Sequence, residues 1–592
     1  MGGVQGIDAE LEQAARDFGL HALALNLLSA YIHEIPGHHI SNASAIPELD
    51  VPLKEGKHPR RVMSAFAERF GESAEVDLLR ILGLFSSPAD KEEMMAVRAA
   101  PAIPDLTEHI QSMSEAEWQK LITKLRRLKL LAPESKHRPD TLDAHPLVRE
   151  HFGKHLKQEY PAAWREGNNR LYEYYKASAK ELPDTLQEMT PLFAAVMHGC
   201  QAGRHQEALS EVYWKRIQRG DEQFVNRKLG AFGSELAALS GFFDSPWHKP
   251  VDGLSEDAKG FVLAYSGFDL RALGRLAEAA QPMQASLEAY IAQKNWKGAA
   301  ITASNLSELY LTLGDVTQAL AYAEQSVGLA DQSDDEFLRM QNRTKVGDTQ
   351  HQAGHLAEAQ AVFHEAEEIQ KKIQPEFPLL YSLQGFTYCD LLLSQGDYAE
   401  VERRASQTLE WAKQGGGGLL SVALETLSLG RAQLLHFPHD PKLPITNQPI
   451  TFLNHAMDGL RQAGTQDHLP RGLLARAEYY RVTGDLNKSQ KDLDEAFSIA
   501  TRGGMGLFLA DCHLEYARLF MSLRGAQSAT KQPPGDMIIP NNGEIASGSA
   551  LAMTYEKVRE HLKTAKEMIA KMGYHRRDKE VEELEKLLAM SS

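Results

Sequence analysis

Five short stretches of the sequence repeat one pattern: LGRLAEA at 273–279, LGDVTQA at 313–319, AGHLAEA at 353–359, QGDYAEV at 395–401 and TGDLNKS at 483–489. Their glycines are 40, 40, 42 and 88 residues apart. A fixed period of this size is the sequence signature of a stacked repeat array. The repeat therefore decides the fold class of the C-terminal part of the chain.

Each repeat contains two amphipathic helices joined by a tight turn. The glycine can end a helix in the left-handed conformation, because it has no Cβ to clash. Five residues later a small side chain (Ala279, Ala319, Ala359) lets the second helix press closely on the first. Such a pair cannot bury its apolar faces alone and must stack on neighbours. The sequence therefore predicts a mainly α protein in which residues 261–592 form an α-solenoid of helical hairpins.

The small, aromatic and turn positions of the repeat resemble those of tetratricopeptide repeats. Around Gly314 the matching residues are Leu306, Ser307, Tyr310, Asp315 and Ala319. The period exceeds the usual length of that family, so we expect helices extended by about one to two turns. The predicted solenoid ends in a mobile insertion at 525–548, followed by charged capping helices.

The composition restricts the possible functions. A chain of 592 residues predicts about four modules. The 64 basic and 80 acidic residues give a net charge of −16, which disfavours binding to a nucleic-acid backbone. The three cysteines lie far apart without a CxxC pair, so neither a disulfide framework nor a zinc site is predicted. With no secretion signal and no apolar run long enough to span a membrane, the predicted location is cytoplasmic.

Residues 1–55 hold too little apolar sequence for a core of their own. Their LHALAL stretch (20–25) opens a strongly apolar helix. It resembles the motif that opens the last helix of the nucleotide domain in STAND-class signal-transduction ATPases, the group that includes NB-ARC switches. We therefore predict that residues 1–55 are a remnant of the helical end of a nucleotide-binding domain, plus a linker.

The sequence of residues 56–160 predicts a winged-helix domain. Three helical segments (62–70, 76–85 and 118–130) precede a short hairpin around a polar tip. The sequence DAHPLVREHF (143–152) then resembles the winged-helix signature of the same ATPases. This resemblance implies that His145 contacts the phosphate of bound ADP when a nucleotide domain is present. Residues 161–260 are predicted to form a helical bundle with degenerate repeats that couples the winged helix to the solenoid.

Catalytic motifs are missing from the sequence. No Gly-Lys-Ser or Gly-Lys-Thr of a P-loop occurs, so we expect no catalysis and no cofactor of the chain's own. ADP or ATP would bind only in a full-length parent. The HEIPGHH stretch (33–39) places glycine where a zinc-binding helix needs its second histidine, and Pro36 breaks the helix, so no metal site is predicted.

The positive site hypothesis is the concave face of the solenoid. First-helix side chains that are not used in packing would line it, and arginine and tyrosine are frequent anchors of protein recognition. By their spacing, the candidate partner-binding residues are Asn305, Glu308, Arg339, Asn342, Arg343, Tyr381, Gln384, Arg476 and Tyr479.

Together these resemblances imply the ligand-sensing and autoinhibitory half of a STAND-type signalling NTPase, a class often linked with defence. Its partner would be a protein or peptide on the concave face, with no nucleic acid and no membrane, and it would oligomerise only if joined to a nucleotide domain. The chain would be a truncated reading frame or a stand-alone sensor. One alternative is a stand-alone tetratricopeptide-repeat scaffold for protein–protein interaction. Another, disfavoured by the acidic charge, is a transcription regulator similar to the maltose activator.

Overall fold

The computed structural model describes residues 4–49, 52–414, 417–436, 448–529 and 547–590. The chain divides into two compact units, Met1–Arg216 and Ile217–Ser592. Both units are helical. Within the described ranges the named strands are β1 (Phe243–Ser245) and β2 (Lys249–Pro250), which pair antiparallel. The predicted mainly α fold class is therefore confirmed.

In the first unit the described α-helices have between 3 and 18 residues. They are α1 (Asp8–Asp17), α2 (Ala22–His33), α3 (Lys57–Phe70), α4 (Ala74–Leu82), α5 (Lys91–Arg98), α6 (Glu115–Arg127), α7 (Pro146–Glu159), α8 (Pro161–Ser178), α9 (Leu186–Gln201) and α10 (His205–Glu207). Two 3-10 helices, Ile40–Ala45 and Leu53–Glu55, connect α2 to α3, and a π-helix, Ala208–Gln218, follows α10.

One apolar core joins residues 4–49 to the segment after them. The rings of Tyr31 on α2 and Phe66 on α3 meet edge to face, with centroids 5.1 Å apart. The Arg61 guanidinium lies 4.5 Å from the centroid of the Phe18 ring and donates to the Pro47 carbonyl at 2.8 Å. Residues 4–49 thus pack as part of a larger unit. The predicted boundaries at 55, 160 and 260 stay predictions.

Between the second and third helical segments of the predicted winged helix, the structure has a helix that the sequence did not indicate, α5. In place of a regular hairpin before α7, Ala89 and Leu142 form a single antiparallel bridge. The Ala132 N–H donates to the Asp143 carbonyl at 2.8 Å and closes the loop between them. The assignment of residues 56–160 to the winged-helix class stays a prediction.

The second unit begins with two short helices, α11 (Phe224–Arg227) and α12 (Phe232–Leu239), and continues as a row of long ones. These are α13 (Glu256–Ala272), α14 (Leu276–Ala292), α15 (Trp296–Leu313), α16 (Val316–Ser333), α17 (Glu336–Gln352), α18 (Leu356–Ile373), α19 (Ser382–Gln395), α20 (Tyr398–Gln414), α21 (Leu419–His436), α22 (Gln448–Gln462), α23 (Leu469–Val482), α24 (Leu486–Gly503), α25 (Gly506–Ala529), α26 (Ser547–Met572) and α27 (Asp578–Met590). From α13 to α26 the described helices pack as seven consecutive pairs.

The repeated glycines form the turns of these pairs, as predicted. Gly274, Gly314, Gly354, Gly396 and Gly484 all have φ between 74° and 95°, the left-handed conformation that favours glycine. The small residues are also explained by close packing. A Cβ at Gly267 would lie 2.5 Å from Met283, and one at Gly347 would lie 2.9 Å from Phe363. The α-solenoid of helical hairpins is confirmed.

The predicted insertion falls largely outside the described residues. Residues 530–546 of the insertion expected at 525–548 lie there. The described ends of that insertion belong to α25 and α26. No helix in the described ranges combines the length and apolarity needed to cross a bilayer.

The array closes on itself. The Gln466 N–H, before α23, donates to the Ala272 carbonyl at the end of α13 at 2.6 Å. The Gly314 turn lies against Gly506 and Met572, and the Gly354 turn lies against His575. Turns of the first three pairs therefore contact segments from the C-terminal pairs, and this closure brings distant charged residues together.

Candidate functional site: the inner face of the solenoid

An acidic residue stands six positions before four of the turn glycines: Glu308, Asp348, Asp390 and Glu478. The structure places the first three among buried residues of α15, α17 and α19. Charged residues of neighbouring helices and segments form ion pairs with two of them, Glu308 and Asp390. We call this surface the inner face and define it by these four acids together with Arg271, Lys345, Arg431 and Asp511.

Glu308 is the centre of one half of the inner face. Its Oε2 lies 2.7 Å from the Lys345 Nζ and 2.9 Å from the Arg271 Nη1. Burial alone would raise the pKa of Glu308, but these two cations hold it well below its usual value. Glu308 is therefore ionised and links three successive first helices, α13, α15 and α17.

The segment before α23 covers this half. Asp467 Oδ2 lies 3.5 Å from the Arg271 Nε, and His468 Nε2 lies 3.6 Å from Glu308 Oε1. Burial lowers the pKa of His468 to about 4, so its ring is neutral at pH 7. Among the residues that the structure describes, Asp467 Oδ1 and His468 Nδ1 are buried and have no hydrogen-bond partner. The segment that covers Glu308 therefore buries polar atoms of its own whose hydrogen-bonding capacity is not fully used within the described residues.

Asp390 is the centre of the other half. It receives two guanidinium nitrogens of Arg576, at 2.5 and 3.0 Å, and the Arg431 Nη1 lies 2.7 Å away. Arg576 also donates to the Gln352 amide oxygen at 3.1 Å. Burial would raise the pKa of Asp390, and Arg576 and Arg431 together hold it well below its usual value.

Arg577 makes the same kind of two-nitrogen contact with Asp511. Its Nε donates to Asp511 Oδ1 at 2.8 Å and its Nη2 to Oδ2 at 3.1 Å. The Tyr574 hydroxyl donates to the same carboxylate at 3.1 Å. The turn at residues 574–577 thus places two adjacent arginines on carboxylates of two separate helix pairs, at α19 and α25. Bidentate arginine–carboxylate contacts of this kind give geometric specificity.

Three of the predicted partner-binding residues are buried. Asn342 is fully buried, and its amide donates to the Ser326 carbonyl at 2.9 Å and the Ala300 carbonyl at 3.3 Å. Tyr479 is buried in the core, and Glu308 forms the ion pairs just described. The expectation that these three side chains are left over from packing is wrong, because each already contacts a neighbouring element of the array.

The other candidates lie on partly exposed surface and do not form one site. Arg339 and Arg343 share Asp331 as an ion-pair partner, and Arg343 also reaches Glu365 at 2.6 Å. Arg476 makes a bidentate contact with Asp492, at 2.7 and 2.8 Å. The Tyr381 hydroxyl donates to Gln374, whereas Asn305 and Gln384 are partly exposed. Their role in binding stays a prediction.

His145 stands at the N-terminus of α7. Its Nδ1 accepts the Leu147 N–H at 3.2 Å, and the residue is exposed. Pro146 occupies the first helical position, where its missing N–H costs nothing. This arrangement explains the histidine as a helix cap. Its contact with the phosphate of ADP stays a prediction.

Sequence reasoning missed most of the inner face, although a signal was present. Asp348, Asp390 and Glu478 stand at the same distance before a turn glycine as Glu308, so the shared register could have identified all four. Arg576 carries no comparable signal. In the described part of the chain, no group of three or more His, Cys, Asp or Glu side chains could hold a metal ion.

No protein-family model and no curated protein matches the sequence. Among solved structures, one similar chain is a Signal Transduction ATPase with Numerous Domains (STAND) protein with a tetratricopeptide repeat sensor from Pyrococcus horikoshii. It shows 12% identity and a TM-score of 0.36 over 95% of this chain and 74% of that one. Another is a Rap protein complexed with competence and sporulation factor, with 12% identity and a TM-score of 0.42 over 70% of this chain and 96% of that one. Both TM-scores are below 0.5, so the fold assignment rests on the helix pairs.

Proposed function

We propose that the chain is the ligand-sensing and autoinhibitory half of a STAND-type signalling NTPase, acting in the cytoplasm. In this proposal the solenoid binds a protein or peptide on its inner face, and the chain needs no cofactor and performs no catalysis of its own. Residues 56–160 act as a winged helix, and His145 contacts ADP only when a nucleotide domain is supplied. The motifs at 20–25 and 143–152 support this assignment.

One observation carries the proposal: the inner face is charged, and the chain's own segments supply its counter-charges. Arg576 and Arg577 on one side and Asp467 on the other make the ion pairs that a ligand would make. In this proposal, the inner face covered by these segments is the closed form of the sensor, and the inner face without them is the open form. A ligand that binds the open form more tightly would shift the population towards it, and that is the physical basis of a sensor.

The test is a selection of random peptides on the purified full chain. Peptides that bind the inner face should lose binding when Asp390→Asn is introduced, because this change removes one acidic contact of that face. They should keep it in Asp458→Asn, a matched control whose carboxylate is exposed on α22. Enriched peptides that are indifferent to Asp390→Asn would overturn the inner-face assignment. The same preparation should leave ATP unhydrolysed, and robust hydrolysis would refute the non-catalytic role.

A further inference from the structure

The turn at residues 574–577 contacts the inner face as a ligand would. Arg576 and Arg577 are adjacent in sequence, yet each reaches a different helix pair, through Asp390 on α19 and Asp511 on α25. Both contacts use two guanidinium nitrogens. The spacing of the two carboxylates therefore matches two consecutive arginines of one peptide segment.

The site retains structure of its own when these arginines are disregarded. Arg431, on α21, remains 2.7 Å from Asp390. His351 points at the same place: it is fully buried, and its Nδ1 lies 4.0 Å from Asp390 Oδ2. Within the described ranges this nitrogen has no hydrogen-bond partner. A buried polar atom left unpaired beside the acid is an available contact for a ligand group.

The covering segment has a defined start and few apolar attachments. It follows Gly573, whose φ of 70° marks the end of α26. The turn buries the Tyr574 ring, and α27 buries Val581 and Leu584. Its other attachments include the ion pairs of Arg576, Arg577 and Glu580. A segment with few buried apolar contacts opens locally at a lower free-energy cost than the core, so the turn and α27 can separate from the array while α26 stays packed on α25.

We propose that the inner face between α17, α19 and α25 recognises an arginine-bearing peptide segment of a partner protein, and that the chain's own turn at 574–577 occupies this site as an internal ligand. This inference rests on the proposed function and names the chemistry of its ligand. Charge complementarity selects the partner: a neutral or acidic peptide would leave Asp511 without its guanidinium partner and Asp390 with Arg431 alone.

The experiment measures binding of a fluorescent synthetic peptide with the sequence of residues 571–583 to the full chain. In the variant Arg576→Ala/Arg577→Ala the site is vacated, and the peptide should bind at least tenfold more tightly than to wild type, where the tethered turn competes at high effective concentration. The control Arg559→Ala/Lys563→Ala removes two exposed cations of α26 and should behave as wild type.

Two further changes test the arginine contacts. Replacing both arginines of the peptide by alanine, or adding Asp390→Asn to the vacated variant, should weaken binding about 30-fold or more. No binding by a folded vacated variant would overturn the proposal, and so would binding that ignores either change. If the vacated variant does not fold, the single variant Asp390→Asn tests the proposal by trypsin cleavage. It should speed trypsin cleavage after Arg576 and Arg577 at least tenfold, and an unchanged rate would overturn the proposal.

Failure of the arginine-peptide proposal can be distinguished from failure of the proposed function. Random peptides that bind the inner face but contain no arginine would leave the sensor role standing and exclude this ligand class. Selected peptides that ignore Asp390→Asn would remove the inner-face assignment itself.

Discussion

Glu425→Gln should remove a pH dependence of stability that the wild-type chain carries. Glu425 lies on α21 and is fully buried. Its Oε1 accepts the Ser382 N–H at 2.7 Å, so the side chain ties the start of α19 to α21. Burial raises the pKa of Glu425 from the usual 4.5 to about 8, although hydrogen bonds from Thr408 and Ser382 act in the opposite direction.

The sign and size follow from proton linkage. The folded state keeps a proton that the unfolded state releases, so the free energy of unfolding falls as the pH rises from about 4.5 to about 8. Between pH 6 and pH 9 this group alone should cost the wild type about 2 to 3 kcal/mol of stability. Glutamine is neutral throughout this range and can still accept the Ser382 N–H through its amide oxygen.

The assay is urea unfolding followed by circular dichroism at pH 6 and pH 9, with the change between the two pH values as the readout. The glutamine of the variant would bury an NH2 group where Glu425 Oε2 now lies, and this lowers stability at both pH values without altering their difference. Glu410→Gln is the matched control, because that carboxylate is exposed on α20 and should keep the wild-type pH profile. Parallel profiles for wild type and Glu425→Gln would refute the reasoning.

Two other substitutions test the closure of the array. Glu308→Ala leaves Lys345 and Arg271 buried without their shared carboxylate and should lower the free energy of unfolding by about 3 to 5 kcal/mol. In the same urea titration, exposed Glu324→Ala should stay within about 0.5 kcal/mol of wild type, and an equal loss in both would contradict the network. Gly314→Ala should destabilise because its φ is 95° and a Cβ would overlap the Met572 sulfur. Gly328→Ala, in open space on α16, should raise the melting temperature slightly, and equal shifts for the two glycines would argue against the closed turn.

The helix pairs were predictable because their signal is local. A glycine with positive φ and a small residue five positions later are needed within one turn, so each copy of the pattern identifies its own hairpin. Helix α5 was missed for a related reason. It has eight residues and buries only Met94 and Val97, and this is too short a stretch for a helical period to stand out.

The contacts that close the inner face could not be predicted from the sequence. Asp390 and Arg576 are 186 residues apart, and their meeting depends on small rotations that accumulate over many stacked pairs. No single repeat encodes that curvature. The same limit explains Asn342, because periodicity places it on a first helix but does not say which face turns towards Ala300 and Ser326.

The array uses two kinds of packing for two purposes. Within pairs, apolar contacts such as Gly347 against Phe363 are specific to one neighbour, and water cannot replace them. Across the inner face, ion pairs stand beside apolar closing contacts, and their attraction is largely offset by the cost of removing charges from water. Separating the ion pairs returns the charges to water or to a ligand with matching charges, so it costs less than opening an apolar interface of equal size. Under the proposed exchange of an internal segment for a partner, a charged inner face between apolar pairs is therefore an advantage.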